Sequence, residues 1–144
     1  MSEKIAELEN LLRVGKLAVE PGAPDEIAGL LTSGCERLVD ARNESLALSS
    51  RFDLAYNAAH AFSLAALRWH GYRSDSRYLV FQTLPHTIGL PPAVWRVLAK
   101  AHELPNAAEY GGRFDVDALL LKNLVEAAEA VRIVIASLPA VPEN

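Results

Sequence analysis

The sequence predicts an all-α protein, a single-domain antiparallel helical bundle of about five to six helices. Apolar residues recur three and four positions apart along most of the 144 residues, which is the period of a helix with one buried face. The breaks between these segments are short and rich in glycine and proline. Strand patterns are almost absent. We therefore expect one domain over 1–144, with its core in about 25–138, an N-terminal helix within 1–20 and a tail at 139–144.

Composition and charge exclude several classes of protein. The formal net charge is −4 and the isoelectric point is near 5.5, which excludes a strongly basic, dedicated nucleic-acid-binding protein but not a local basic patch. The charged N-terminus lacks the pattern of a signal peptide, and no run of about 20 apolar residues could span a membrane. We expect a cytoplasmic protein without a membrane partner.

The cysteine and histidine content predicts neither a metal site nor a cofactor. Cys35 is the only cysteine, so it cannot form an internal disulfide, and its apolar neighbours indicate a small core residue. The four histidines lack the close spacing of metal ligands. His70 precedes the helix-ending Gly71, and His86 lies in a predicted turn before Gly89.

Two helices are predicted before residue 47. The first covers roughly 2–16, and its apolar stripe is Ile5, Leu8, Leu11 and Leu12. Residues 20–23 break it. Pro24 opens the second helix, and Asp25 and Glu26 suit the positive end of its dipole. The stripe of this helix is Ile27, Leu30, Leu31, Cys35, Leu38, Val39 and Leu46. Arg42 interrupts the stripe, so it either extends outward or meets a buried acid.

The third helix, 50–69, is apolar on most sides and is therefore predicted to be central. Ser50 followed by Asp53 resembles a capping box at its start. Asp53, Asn57 and His60 lie on one side of this helix. They could line a pocket for a nucleotide or RNA. The structural alternative, which we expect, is a buried polar network with Arg42.

Three further segments complete the predicted bundle. Residues 74–84 contain aromatic and β-branched side chains, but Ser74 or Asp75 as a cap favours a short helix over a strand. A fifth helix is predicted to open with Pro91-Pro92 and to end near Pro105, followed by a loop at 106–112. Asp115 is predicted to cap a last helix that ends near 138. Its inward residues are Leu120, Leu124, Ala127, Val131 and Val134, and its outward residues are Lys122, Glu126 and Glu129.

Several short motifs resemble the HEPN superfamily over about residues 25–138. They are Tyr56-Asn57-Ala58-Ala59, Gly71-Tyr72-Arg73, Asn106-Ala107-Ala108-Glu109-Tyr110 and the alanine-rich last helix. HEPN domains are small helical bundles found beside nucleotidyltransferases and in toxin–antitoxin and RNA-processing systems. The resemblance implies a homodimer, a nucleotidyltransferase partner, a nucleotide or RNA ligand, and motif roles for Asn106 and Tyr110.

Enzymatic HEPN proteins are metal-independent ribonucleases with an Arg-x(4–6)-His motif, whose active site forms where two bundles dimerise. Arg96 and His102 fit that spacing, although Val97 stands where a polar residue is usual. In a second possible alignment of the motif, the arginine directly precedes the residue that corresponds to Asn106. This chain has Pro105 at that position. Six residues turn a helix by about 240° after whole turns are removed, so Arg96 and His102 do not share a face of one chain. The alternative is a solvated arginine and a packed histidine, which we expect.

A group of cations and tyrosines at 68–78 is the best nucleic-acid candidate. Guanidinium groups bind phosphates and aromatic faces stack on bases. The candidate residues are Arg68, Tyr72, Arg73 and Arg77, with Tyr78 close by. Asp75 reduces the local charge, and a solvated turn is the alternative that we expect.

Three functions are compatible with these observations. The favoured one is a non-catalytic HEPN-like binding or partner module, with a nucleotide or RNA as its ligand and a nucleotidyltransferase as its associate. The alternative is a dimeric, metal-independent, toxin-like ribonuclease using Arg96 and His102. The third is a structural or regulatory interaction domain without a ligand.

Overall fold

A computed structural model describes residues 5–111 and 116–141, without the side chains of 105–111. The elements, in chain order, are α1 (Ala6–Arg13), β1 (Ala18–Val19), α2 (Pro24–Ala41), α3 (Leu48–Trp69), β2 (Tyr72–Arg73), α4 (Arg77–Gln82), α5 (Leu84–Thr87), α6 (Pro92–Gly111) and α7 (Ala118–Ala136). The predicted all-α helical bundle is confirmed. Within the described residues, no helix combines the length and apolar character needed to cross a membrane.

Helix α3 is the centre of the bundle, as predicted, and packs along both α2 and α7. Its many alanines let neighbouring helices approach closely. Gly34 of α2 is buried, and a β-carbon there would overlap the ring of Phe62 on α3. Phe62 is completely buried, so its ring cannot move aside and only glycine fits this crossing.

A second, smaller core attaches the N-terminal part of the chain. Leu8 of α1 and Leu17 pack there against Leu67 of α3, together with Leu79 and Val80 of α4. The structure therefore has one large core among α2, α3, α6 and α7, and a smaller one beneath α1 and α4.

The chain contains a small β-ribbon that the sequence did not predict. Strand β1 pairs antiparallel with β2, so that Ala18 lies opposite Arg73 and Val19 opposite Tyr72. Each strand has two residues, too few to show an alternating pattern. Gly71 connects α3 to the ribbon with a φ of 86°, a conformation that glycine adopts without strain.

Arg68, near the end of α3, ties four segments of the chain together. It is 3% exposed and binds Glu26 of α2 through both carboxylate oxygens, at 2.7 and 3.2 Å. Its Nη1 donates to the carbonyls of Glu20 (2.5 Å) and Tyr72 (3.0 Å), and its Nη2 donates to that of Pro21 (3.2 Å). Hydrogen bonding to Arg68 lowers the pKa of Glu26. This contact network fixes the ribbon and the start of α2 against the central helix.

The starts of two helices differ from the prediction. Helix α3 begins at Leu48 without a side-chain cap, so the Ser50–Asp53 capping box is wrong. A turn at 43–45 precedes the helix, where the backbone N–H and the Oγ of Ser45 both donate to Oδ1 of Asn43. The chain therefore enters α3 before the predicted start at Ser50. The short helix predicted in 74–84 is confirmed as α4, but its cap is Ser76, whose Oγ accepts from the amide of Leu79 at 3.2 Å.

Helix α6 continues through Pro105 to Gly111, so the predicted end at Pro105 and the loop from 106 are wrong. A proline removes one amide donor from a helix, and the following Ala107 and Ala108 are strong helix formers. Helix α7 begins at Ala118, where Asp117 caps it by accepting from the amide of Leu120 at 2.7 Å. The predicted cap, Asp115, lies outside the described residues.

A few side chains lie on a different side from the one predicted. Val39 is 66% exposed and Leu46 is 38% exposed, because Leu38 and Ala41 form the buried face at the end of α2. Glu129 was predicted to point outward, but two arginines bind it and its side chain is only 26% exposed.

The structure also shows where Cys35 and the beginning of the predicted C-terminal tail lie. Cys35 is free and partly buried against the core, as predicted. The beginning of the predicted tail packs on the bundle, because Trp69 donates its indole N–H to the carbonyl of Pro139 at 3.0 Å.

Replacing Arg68 by Met should lower the free energy of unfolding by about 1–3 kcal/mol, because three carbonyls lose a buried donor, whereas the 41% exposed Glu26 can return to water. Urea denaturation measures this loss. Arg68→Lys keeps the charge without the fork and should lose less. The control, Arg13→Ala on the exposed side of α1, should change stability by less than about 0.5 kcal/mol. Equal losses in Arg68→Met and Arg13→Ala would contradict this role.

Candidate functional site

Seven polar and aromatic side chains from three helices meet on one side of the bundle. We call them the α3–α4–α6 cluster: Tyr56, Asn57 and His60 from α3, Arg77, Tyr78 and Phe81 from α4, and His102 from α6. The helical repeat places the three α3 residues on one face. The capped turn of α4 presents its own three residues to α3 and α6.

A hydrogen bond between α3 and α6 lies at the centre of the cluster. The Tyr56 hydroxyl is 2.9 Å from Nδ1 of His102, and the two rings stack with 6.3 Å between centroids. Burial raises the pKa of Tyr56, so its hydroxyl stays protonated at neutral pH. It can donate to an unprotonated Nδ1 or accept from a protonated one, according to the histidine tautomer.

Arg77 places a permanent positive charge beside this hydrogen bond. Its Nη1 donates to Oδ1 of Asn57 at 3.1 Å, and its Cζ lies 5.7 Å from the centroid of the Tyr56 ring. Asn57 is itself held, because its Nδ2 donates to the carbonyl of Asp53 at 2.8 Å. Arg77 is exposed, so its guanidinium is oriented on the protein and accessible from solvent.

His60 is an uncharged imidazole at neutral pH. Its ring packs edge-on against Phe81, with 6.0 Å between centroids. Burial, together with unfavourable electrostatic interactions with Arg77 and His102, lowers the pKa of His60 to about 4. The cluster therefore combines the cation of Arg77 with the neutral imidazole of His60, which has one nitrogen that can donate a hydrogen bond and one that can accept.

Tyr78 connects the cluster to the surface. It is 37% exposed, and its ring lies 5.8 Å from that of His102 at an angle of 51°. An exposed aromatic face can stack on a base, and a guanidinium forms strong, charge-assisted bonds with phosphate. The arrangement of Tyr78 and Arg77 can therefore bind a ligand that is both anionic and aromatic.

The predicted network of Arg42 with Asp53, Asn57 and His60 is wrong. Arg42 caps the end of α2 and forms an ion pair with Glu129 of α7 at 3.3 Å. The side chain of Asp53 is exposed. Asn57 and His60 do lie in one polar region, but their partners come from α4 and α6.

The structure does not bring Arg96 and His102 together within the chain. Arg96 is exposed on α6, whereas His102 faces Tyr56 and Tyr78. The cation in the histidine's surroundings is instead Arg77. Asn106 and Tyr110 fall within the backbone of α6, but their side chains lie outside the described part of the chain.

The four-residue nucleic-acid candidate does not form one accessible surface. Arg68 and Tyr72 are buried, and the Tyr72 hydroxyl donates to Glu9 at 2.7 Å. Arg73 is half exposed and lies within 4 Å of two acids. Of the four, Arg77 is the one that joins the α3–α4–α6 cluster.

The remaining two histidines lie elsewhere. His70 caps the end of α3, with its Nε2 2.7 Å from the carbonyl of Thr87, and burial lowers its pKa. His86 lies in α5, a single helical turn, 3.9 Å from Glu7. Among the residues whose side chains are described, no group of three or more His, Cys, Asp or Glu could hold a metal ion.

Sequence reasoning missed Tyr56 and Phe81 as members of the site. Tyr56 and His60 are four residues apart on α3, a spacing that places side chains next to each other. That local signal could have added Tyr56 to the polar face. No local signal exists for its contact with His102, since 46 residues separate the two in the chain.

No protein-family model matches the chain, and no curated protein or solved structure matches it either. The HEPN resemblance thus depends on the short motifs alone.

Stability should fall with decreasing pH because of His60. Its pKa is about 4 when folded and near 6.5 when unfolded, so the unfolded chain binds the proton more readily between these values. The contribution is complete above pH 6.5 and is lost toward pH 4. We expect a loss of about 2 kcal/mol between pH 7 and pH 4.5.

The measurement is urea denaturation across this range for the wild type and His60→Gln. All other titratable groups are the same in both proteins, so the difference between the two curves isolates His60. Parallel curves would show that His60 titrates normally in the folded protein.

Proposed function

We propose that this chain is a HEPN-like binding module that takes a nucleotide unit, free or within single-stranded RNA, at the α3–α4–α6 cluster. The observation that carries the proposal is the contact of His102 with both the Tyr56 hydroxyl and the Tyr78 ring, together with the position of Arg77 over the Tyr56 ring.

The chemistry of a nucleotide matches these groups. Its phosphate suits the exposed guanidinium of Arg77, which Asn57 holds in place. Its base suits the exposed ring of Tyr78. Arg77 is the one permanent cation of the cluster in an acidic chain, so binding should be modest in affinity and weaker at high salt.

The resemblance supports the rest of the proposal. It implies a homodimer and a nucleotidyltransferase partner. In one alignment of the ribonuclease motif, Pro105 stands at the position of the catalytic arginine, which supports a non-catalytic role. Co-expression with a nucleotidyltransferase encoded beside it, followed by size-exclusion chromatography, tests the partnership. A chain that elutes alone and binds no RNA would instead be a structural or regulatory domain.

Arg77→Ala should weaken binding of a short fluorescent single-stranded RNA by roughly tenfold or more, because it removes the charge-assisted phosphate contact. Fluorescence anisotropy at low salt measures the affinity. Arg96→Ala is the matched control, since it removes an exposed arginine from α6 and should leave the affinity within about twofold. Equal effects of the two substitutions, or no binding by the wild type, would contradict the proposed site.

The second candidate function is a metal-independent ribonuclease. It is favoured by an imidazole and a tyrosine hydroxyl close to a guanidinium, since His102 contacts the Tyr56 hydroxyl and Arg77 lies over the Tyr56 ring. A neutral histidine can accept the proton of a ribose 2′-hydroxyl while a guanidinium stabilises the charged phosphate.

Cleavage of RNA in the presence of a chelator distinguishes the two functions. The ribonuclease predicts cleavage that His102→Ala abolishes. If Arg77→Ala abolishes cleavage and Arg96→Ala does not, the reaction takes place in the cluster. If Arg96→Ala abolishes cleavage and Arg77→Ala does not, the Arg96–His102 motif acts across a dimer. No cleavage by a wild type that binds RNA supports the binding module.

A further inference from the structure

A separate pocket of about 390 Å³ lies where the end of α2 meets the starts of α3 and α7. Its wall contains three cations, Arg42, Arg51 and Lys122, and one acid, Glu126. The chain as a whole has a net negative charge, whereas the side chains that line this pocket have a net positive charge. Its volume falls within the range of roughly 300–1,000 Å³ that is typical of small-molecule sites.

Arg51 is held in position for an anion. It is partly buried, and its Nε donates to the carbonyl of Ala41 at 2.7 Å. This bond uses one of the five N–H groups and leaves the two terminal amino groups of the guanidinium for another acceptor. A side chain anchored in this way loses little conformational freedom when it binds a ligand.

The other two cations, Arg42 and Lys122, form ion pairs with acids at the solvent-exposed edge of the pocket. Arg42 is half exposed and contacts Glu129 at 3.3 Å. Lys122 is 69% exposed and lies 3.9 Å from Glu126. Exposed ion pairs contribute little energy, so both cations can turn toward a multivalent anion at small cost.

The start of α3 adds to this positive potential. Leu48 begins α3 and Ala118 begins α7, and both residues line the pocket. Helix α3 has neither a side-chain cap nor an acid in its first turn, whereas the carboxylate of Asp117 caps α7. The uncompensated positive end of α3 therefore lies beside the three cations.

We propose that this pocket binds the phosphate group of a small phosphorylated compound. Arg51 and Lys122 take the phosphate oxygens, and Arg42 adds charge at the rim. Leu48, Leu121 and Val125 form an apolar floor that contacts the organic part of the ligand. The site shares no residue with the α3–α4–α6 cluster, so neither proposal depends on the other.

Titration with inorganic pyrophosphate, followed by amide NMR and by the thermal midpoint, tests this proposal. We expect saturable binding that shifts the amides of 48–51 and 118–122 and raises the midpoint. Lys122→Glu should weaken binding by roughly tenfold or more. Lys100→Glu, an identical charge change at an exposed position of α6, should weaken it by less than about twofold.

Three outcomes would overturn the proposal. The first is the absence of saturable binding to the folded wild type. The second is equal weakening by Lys122→Glu and Lys100→Glu, which would show a general response to net charge. The third is displacement of pyrophosphate by a single-stranded RNA at concentrations well below those of pyrophosphate itself, which would make RNA the ligand of this pocket.

Discussion

The buried guanidinium of Arg68 is the contact on which the arrangement of the bundle depends. Removing an arginine from water costs several kcal/mol, and here a bidentate carboxylate and three carbonyl oxygens offset that cost. Its acceptors come from α2, the connection before α2 and β2. Arg68 therefore fixes where the chain enters α2 and how it leaves α3, and the small ribbon follows from these two constraints.

The ribbon in turn determines the position of α4 and, with it, the candidate site. A helix of six residues is not stable by itself, so α4 depends on the packing of Leu79, Val80 and Phe81 beneath it. Once these three are buried, Arg77 and Tyr78 must face the side where α3 and α6 meet. The polar residues of α3 and His102 of α6 already lie there, which explains how a bundle held together by apolar contacts brings seven side chains into one cluster.

The sequence predicted what depends on local periodicity. The helical class, the central role of α3 and the start of α2 at Pro24 follow from patterns within a few turns. Arg68 shows the limit: its spacing from Arg73 and Arg77 suggested a shared surface, whereas its burial depends on Glu26, 42 residues away in the chain. The contact of Tyr56 with His102 is missed for the same reason. Pro105 did not end α6, although proline in a helix interior removes a hydrogen bond and costs about 3 kcal/mol.

The four histidines offer the most direct test of a ligand site at the α3–α4–α6 cluster. Two of them, His60 and His102, belong to the cluster, and the other two, His70 and His86, lie outside it. The measurement is NMR of the imidazole resonances during titration with a short single-stranded RNA. The account predicts saturable shifts of His60 and His102, with His70 and His86 unchanged. Shifts of all four to a similar extent, or of His70 and His86 alone, would contradict it.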